Sequence, residues 1–225
     1  IGRTTKTIFP DGSYISNSFD NMGRKISSTD ASGITTKFKY DDKNLIAVEK
    51  SSDGQNYDIC WEYSYDSNGN RTAIKDPNGN VTSFTYDKYH RITQKNLPMG
   101  QSEKIEYITG SHKVAKRIDS IGQTVTYSYN ERDQLICQKF QGNATSYKIE
   151  FTYTDSGLLK KVIEPSQETA YEYDFLGRVI QIQTLNGSIN YTYDEITGNK
   201  ASVETANSKI GYIYDIAGRL SKVIV

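Results

Sequence analysis

Short runs of alternating apolar and polar residues, broken by polar turns, recur along the whole chain. Two ring residues stand two positions apart in Phe38/Tyr40, Tyr63/Tyr65, Phe84/Tyr86, Tyr127/Tyr129, Phe151/Tyr153, Tyr191/Tyr193 and Tyr212/Tyr214. A period of two puts both rings on one face of a β-strand. Many of these runs close on Asp, and Gly follows three residues later at Asp20/Gly23, Asp174/Gly177 and Asp215/Gly218. An Asp carboxylate accepts hydrogen bonds from backbone N–H groups two residues on. Gly suits the left-handed position that ends a type I turn with a G1 bulge. Asp-x-x-Gly therefore predicts a hairpin. A second turn comes shortly afterwards, as in Asp30-Ala31-Ser32-Gly33, Asp76-Pro77-Asn78-Gly79 and Leu185-Asn186-Gly187. The expected unit is two antiparallel strands with turns at opposite edges, and the expected class is all-β.

The step from aromatic residue to Asp marks the period. It occurs at Phe19-Asp20, Tyr40-Asp41, Tyr65-Asp66, Tyr86-Asp87, Tyr173-Asp174, Tyr193-Asp194 and Tyr214-Asp215, with degenerate copies at Tyr107-Ile108, Tyr129-Asn130 and Tyr153-Thr154. Successive copies lie 21, 25, 21, 21, 22, 24, 20, 20 and 21 residues apart. Ten copies span the sequence, so residues 1–225 are expected to form a single array with no separate domain. The missing Asp after Tyr107 predicts a bulge or register change there. Arg follows Asp by four positions in Asp20/Arg24, Asp87/Arg91, Asp174/Arg178 and Asp215/Arg219. Those ends are close across a hairpin, which predicts an ion pair or an Arg stacked on a Tyr ring. An exposed pair contributes about 0–1 kcal/mol, so turn stapling is the expected role.

Composition agrees with the pattern. The chain has 18 Tyr, 24 Ile and 21 Thr against 8 Leu and 9 Ala, which favours strands over helices. Lys+Arg and Asp+Glu are 27 each, so no basic excess is present to neutralise phosphates, and nucleic acid is not an expected partner. No apolar run approaches the ~18 residues of a membrane span. The sequence starts at Ile1, which is the expectation for a processed product or an excerpt of something longer.

Candidate chemistry is sparse. The carboxylates recur with the repeat period, which assigns them to turns instead of to a glycosidase pair. No nucleophile elbow, P-loop or dinucleotide fingerprint occurs. His90 occupies the turn-Gly slot before Arg91, and His112 lies far from it in sequence. Cys60 and Cys137 fall in predicted strands, where buried free thiols are expected. No catalytic residue, cofactor or metal site is therefore predicted. Rows of Tyr on a sheet can also stack on sugars, so a carbohydrate-binding or adhesion module is the alternative reading.

Tyr-Asp-x-x-Gly-Arg-aliphatic, matched most fully at 173–179 and 214–220, resembles the YD repeats of the Rhs family. That family includes Rhs polymorphic toxins, the BC component of Tc toxins, wall-associated proteins and teneurins. The resemblance covers essentially the whole chain. It implies a β-ribbon spiralling into a hollow, non-catalytic shell in a secreted or surface protein, bacterial in the toxin members. There the shell encloses a C-terminal effector; flanking repeats and that effector are the implied partners. The residues it marks are Asp20, Gly23, Arg24, Tyr40, Asp41, Tyr65, Asp66, Tyr86, Asp87, Arg91, Tyr173, Asp174, Gly177, Arg178, Tyr193, Asp194, Tyr214, Asp215, Gly218 and Arg219. The sole Asp-Pro, Asp76-Pro77, belongs to a repeat turn, so the shell's self-cleavage does not carry over. About twenty strands at ~4.8 Å give a ribbon about 95 Å long, too short to surround a folded domain in one turn.

Overall fold

The computed structural model describes residues 2–225, all in strands, turns and loops with no helix. It contains 21 strands, one more than ten two-stranded repeats require. Two compact units are present. The first runs to Glu106 and takes in Ile118–Ile121; the second comprises Tyr107–Arg117 and Gly122–Val225.

The strands of the first unit are β1 (Lys6–Ile8), β2 (Tyr14–Phe19), β3 (Lys25–Thr29), β4 (Thr35–Tyr40), β5 (Leu45–Ser51), β6 (Asp58–Tyr65), β7 (Arg71–Lys75), β8 (Val81–Tyr86), β9 (Ile92–Asn96) and β10 (Ser102–Tyr107). Each pairs antiparallel with the next. The second unit holds β11 (Val114–Ile118), β12 (Thr124–Tyr129), β13 (Leu135–Gln141), β14 (Ser146–Tyr153), β15 (Leu159–Ile163), β16 (Glu168–Tyr173), β17 (Val179–Thr184), β18 (Gly187–Tyr193), β19 (Lys200–Thr205), β20 (Ser208–Tyr214) and β21 (Leu220–Ile224). From β12 to β21 each again pairs antiparallel with its successor.

Strand parity sorts the side chains by face. In the second unit, direct cross-strand neighbours on one face are Phe151–Val162, Tyr171–Ile182–Ile189, Tyr191–Val203–Ile210 and Tyr212–Val223. The other face runs Glu172–Gln181–Asn190–Glu204–Lys209. It is zipped by Gln181 Nε2 donating to Asn190 Oδ1 at 2.8 Å and by a 2.8 Å Lys209–Glu204 ion pair. Aromatic–aliphatic and charged cross-strand pairs each contribute about 0.2–1 kcal/mol. They are the main stabilising contacts, because no apolar side chain among the described residues is fully buried. The buried residues are polar: Glu49, Ser51 and Ser202.

The two edges of each unit differ. Every hairpin whose first strand ends in a registered aromatic-Asp step or its degenerate copy carries a register shift just before that aromatic. Glu172 faces Gln181 and Tyr173 faces Val179, which leaves Ile180 extra. At the opposite edge the ladders run without a shift, except between β5 and β6, where Cys60 is the extra residue. A bulge bends its strand and raises the local twist.

Cys60 and Cys137 are free and half-buried, where the sequence suggested full burial. A sheet with no covered apolar interior has nowhere to bury them.

Candidate functional site

The repeated element at the bulged edge is the most elaborate constellation in the molecule. It begins with Asp. In Asp174 the turn closes by Gly177 N–H donating to the Asp174 carbonyl and Asp174 N–H donating to the Arg178 carbonyl, both at 3.0 Å. Asp174 Oδ1 accepts from the N–H groups of Leu176 (3.0 Å) and Arg178 (2.9 Å), while Oδ2 accepts from Arg178 Nε at 2.6 Å. Asp87 with Arg91, and Asp215 with Arg219, repeat this arrangement. Asp20 holds Arg24 in the same way through its backbone and Nε. Gly23, Gly177 and Gly218 all have φ between +76° and +79°, the left-handed position that the spacing predicted.

The carboxylates feel these donors. The Arg24 guanidinium holds the Asp20 carboxyl below its usual range, and Arg91 does so for Asp87. At Asp174 partial burial opposes the shift, and the bonds from Arg178 outweigh it. The Asn70 side chain lowers Asp66, and the Thr197 and Arg219 N–H groups lead the lowering of Asp194 and Asp215. Asp41 and Asp194 stand on different turns. Asp41 closes a shorter one onto Asn44, and Asp194 a longer one onto Asn199.

Arg then leaves its own turn. Arg24 lies over the Tyr40 ring at 4.5 Å and donates to the Asp41 carbonyl at 3.0 Å. Arg178 lies over the Tyr193 ring at 4.3 Å and donates to the Gly198 carbonyl at 3.3 Å. Ion pair and ring stacking are thus simultaneous, the first within a repeat and the second to the next. The Arg219 side chain is 81% exposed, against 27% for Arg178, because no later ring covers it among the described residues.

Tyr completes the junction in the opposite direction. Its hydroxyl donates to a backbone carbonyl just past the preceding turn: Tyr40 to Lys25 (3.0 Å), Tyr65 to Leu45 (2.9 Å), Tyr86 to Arg71 (2.8 Å), Tyr173 to Leu159 (2.7 Å), Tyr193 to Val179 (2.9 Å) and Tyr214 to Lys200 (3.0 Å). Tyr129 and Tyr153, whose steps lack Asp, make the same bond to Val114 and Leu135. The accepting residue pairs with the earlier aromatic at the bulge, so the latch serves a carbonyl beside an interrupted ladder. Sequence reasoning placed the rings and missed this bond. The signal was the near-exclusive use of Tyr over Phe before the turn.

Departures are repaired locally. Asn70 stands where Arg is usual; its Nδ2 donates to Asp66 Oδ2 at 2.8 Å, and its Oδ1 meets His90 Nδ1 of the next turn at 3.0 Å. His90 takes φ +62° in the Gly slot, as the motif alignment predicted. Asn130 and Gln134 substitute an amide pair for Asp and Arg, and Gln134 reaches the Gly157 carbonyl at 2.9 Å. An open cleft of about 480 Å³ lies there, lined by Asn130, Arg132, Gln134, Phe151, Tyr153 and Asp155 among others. Among the described residues no group of three or more His, Cys, Asp or Glu is placed to hold a metal ion. Among the marked residues, Arg24 and Arg178 and the Tyr hydroxyls bond from one repeat to a neighbouring one. Tyr40 and Tyr193 give sugar stacking no support, since Arg covers each ring and its hydroxyl is used.

The family model described as teneurin YD-shell matches residues 6–223. No curated protein matches the chain. Among solved structures, the TcdB2-TccC3-Cdc42 crystal structure is similar with a TM-score of 0.74 and 17% identity over 96% of this chain. The Tc holotoxin pore of Photorhabdus luminescens gives a TM-score of 0.79 with 16% identity over 97% of it. This chain spans 13% of the length of each of those chains. At such identities the likeness is one of fold.

Proposed function

This chain belongs to the teneurin YD-shell family, and from that premise we propose that residues 1–225 are one array of shell wall that surrounds and isolates a C-terminal effector polypeptide. The marked Asp, Gly, Arg and Tyr residues are its structural joints, and the array does no chemistry of its own. Flanking repeats of a longer polypeptide and the enclosed effector are its partners, and the protein is secreted or displayed on a bacterial surface. The observation carrying this reading is the joint itself. Arg24 and Arg178 fasten their repeats forward, and Tyr hydroxyls fasten backward along the chain, which makes a continuous wall out of repeats that bury no core. The Tc toxin chains share the fold that this reading requires.

The size of the native product tests it. An antibody raised to this segment is used on blots of source cells and medium, with and without trypsin. The expected result is a band several times 25.4 kDa that resists trypsin until the wall is denatured. A native band at 25.4 kDa would overturn encapsulation for this chain.

A further inference from the structure

Between the Asp174 and Asp194 turns, Arg178 spans from the Asp174 carboxylate to the Tyr193 ring and the Gly198 carbonyl. The next joint, between the Asp194 and Asp215 turns, has the same parts without the cation. Asn199 closes the Asp194 turn in the place Arg178 holds in its own, its carbonyl accepting from the Asp194 N–H at 2.8 Å. Its side chain is shorter and uncharged. A cleft of about 280 Å³ opens beside it, lined by Asp194, Thr197, Ala201, Tyr212, Tyr214 and Asp215 among others. Asp194 Oδ1 accepts from the Ile196 and Thr197 N–H groups and from the Thr197 hydroxyl. Oδ2, the oxygen that holds the Arg Nε at Asp174, has no bonded partner here among the described residues. Lys200, next to Asn199, lies over the Tyr191 ring at 4.8 Å, and Arg219 is paired with Asp215. No cation among the described residues covers the Tyr214 ring. Two other joints with an open cleft are different inside. At one, Asn130 replaces the acid, and Arg132 and Gln134 already bridge to the next turn. At the other, Lys43 stands in the lining and Arg24 reaches the Asp41 carbonyl.

We propose that this cleft receives the guanidinium group of an arginine side chain that another segment of polypeptide lays across the bulged edge. The group stacks on Tyr214 and pairs with Asp194 Oδ2, as Arg178 does with Tyr193 and Asp174. Charge sets the sign of the ligand, because Asp194 and the neighbouring Glu195 have no cationic partner among the described residues. Shape selects Arg over Lys. A planar fork offers its face to a ring while its edge donates to a carboxylate, and a point-like ammonium does not. The filled joints agree: Arg24 and Arg178 stand 4.5 and 4.3 Å from their rings, whereas Lys113, in the corresponding place of its turn, stands 5.2 Å from the Tyr129 ring. The strands that frame the cleft, β18 to β21, are already paired with one another, so the arginine comes from outside them. On the encapsulation reading, its source is the enclosed effector or another stretch of the wall; the chemistry of the cleft does not depend on that reading.

An NMR titration of the full chain, with labelled tyrosine rings and the Tyr214 signals assigned through Tyr214→Phe, tests the cleft with N-acetyl-arginine methylamide as the probe. Saturable shifts of Tyr214 are expected, with binding at least about fivefold weaker for the neutral citrulline amide and for the lysine amide. Asn199→Arg fills the cleft from within and should abolish the titration while raising the urea midpoint. Asp194→Asn should weaken binding at least about fivefold. Its turn is expected to form, because Asn130 closes one of this kind through the Arg132 and Gln134 N–H groups. No shift at Tyr214, equal binding of the citrulline or lysine amide, or a titration unchanged in Asn199→Arg overturns the proposal. A native band at 25.4 kDa would leave this titration untouched, so the cleft and the encapsulation are tested apart. In the native-length product, a benzophenone side chain in place of Thr197 separates the two sources. Its cross-links should map to an arginine-bearing peptide of the effector or of other repeats, and cross-links confined to residues 174–225 would overturn occupancy by an outside arginine.

Discussion

At the scale of single residues, the turn Asp does the most for its size. At Asp87, Asp174 and Asp215 one carboxylate replaces the solvent for two backbone N–H groups and an Arg, an arrangement that protonation at low pH would undo. The folded pKa values of Asp20, Asp66, Asp87, Asp174, Asp194 and Asp215 are all lowered. The unfolded state therefore takes up protons first as pH falls. The stabilisation is whole above the unfolded Asp pKa of about 3.9 and disappears as pH drops through the lower folded values. Urea midpoints should stay level from neutral pH to about 5 and fall steeply below about 4. A midpoint that holds to strongly acid pH would show that the carboxylate bonds contribute nothing. The role of Asp was legible because its spacing to Gly and Arg encodes a local turn. The destination of the Arg fork was not, since it ends on a ring and a carbonyl 15 to 20 residues away in sequence.

At the scale of the element, the recurring bulge and the tyrosine latch belong together. The shift beside Tyr193 leaves Ala201 extra in β19, and the one beside Tyr173 leaves Ile180 extra in β17. A carbonyl next to such an interruption needs a donor, and the phenol of the next strand supplies it. Burial raises the phenol pKa of Tyr65 and Tyr173, which keeps the donor protonated to higher pH. Tyr193→Phe removes the bond to Val179 and should cost about 1 kcal/mol in urea unfolding. Tyr191→Phe, whose ring packs against Val203, should stay within about 0.5 kcal/mol. Equal effects of the two would deny the latch any special part. Hairpins, their turn type and the shared face of the ring pairs were readable from the sequence as local patterns. The bulge was not, because the residue that slips is Ile180 in one copy and Ala201, Thr72 or Ser221 in others, with no common type.

At the scale of the whole molecule, the exposed surface is 15488 Å². A compact monomer of this mass exposes about 10,400 Å². The excess is the cost of having two faces and no covered interior. Heat capacity of unfolding follows apolar area buried, and a compact chain of this length would give about 3 kcal/mol/K. Calorimetry on the dilute chain should give a distinctly lower value. A value at the compact level would mean that the aromatic face is covered in solution by another copy. The family was legible at this scale because ten copies repeat one local rule. The division into two units was not, since the sequence between Tyr107 and Gln123 differs from the motif only by degeneration. The joints have a further consequence for descent. The copies at Asp87, Asp174 and Asp215 carry the same staple, and their bulges and the latches of Tyr86, Tyr173 and Tyr214 use the same kinds of donor and acceptor. Unequal crossing-over between two such copies would therefore leave a correctly fastened seam, and a lineage can lengthen or shorten this wall by whole repeats with few contacts redesigned.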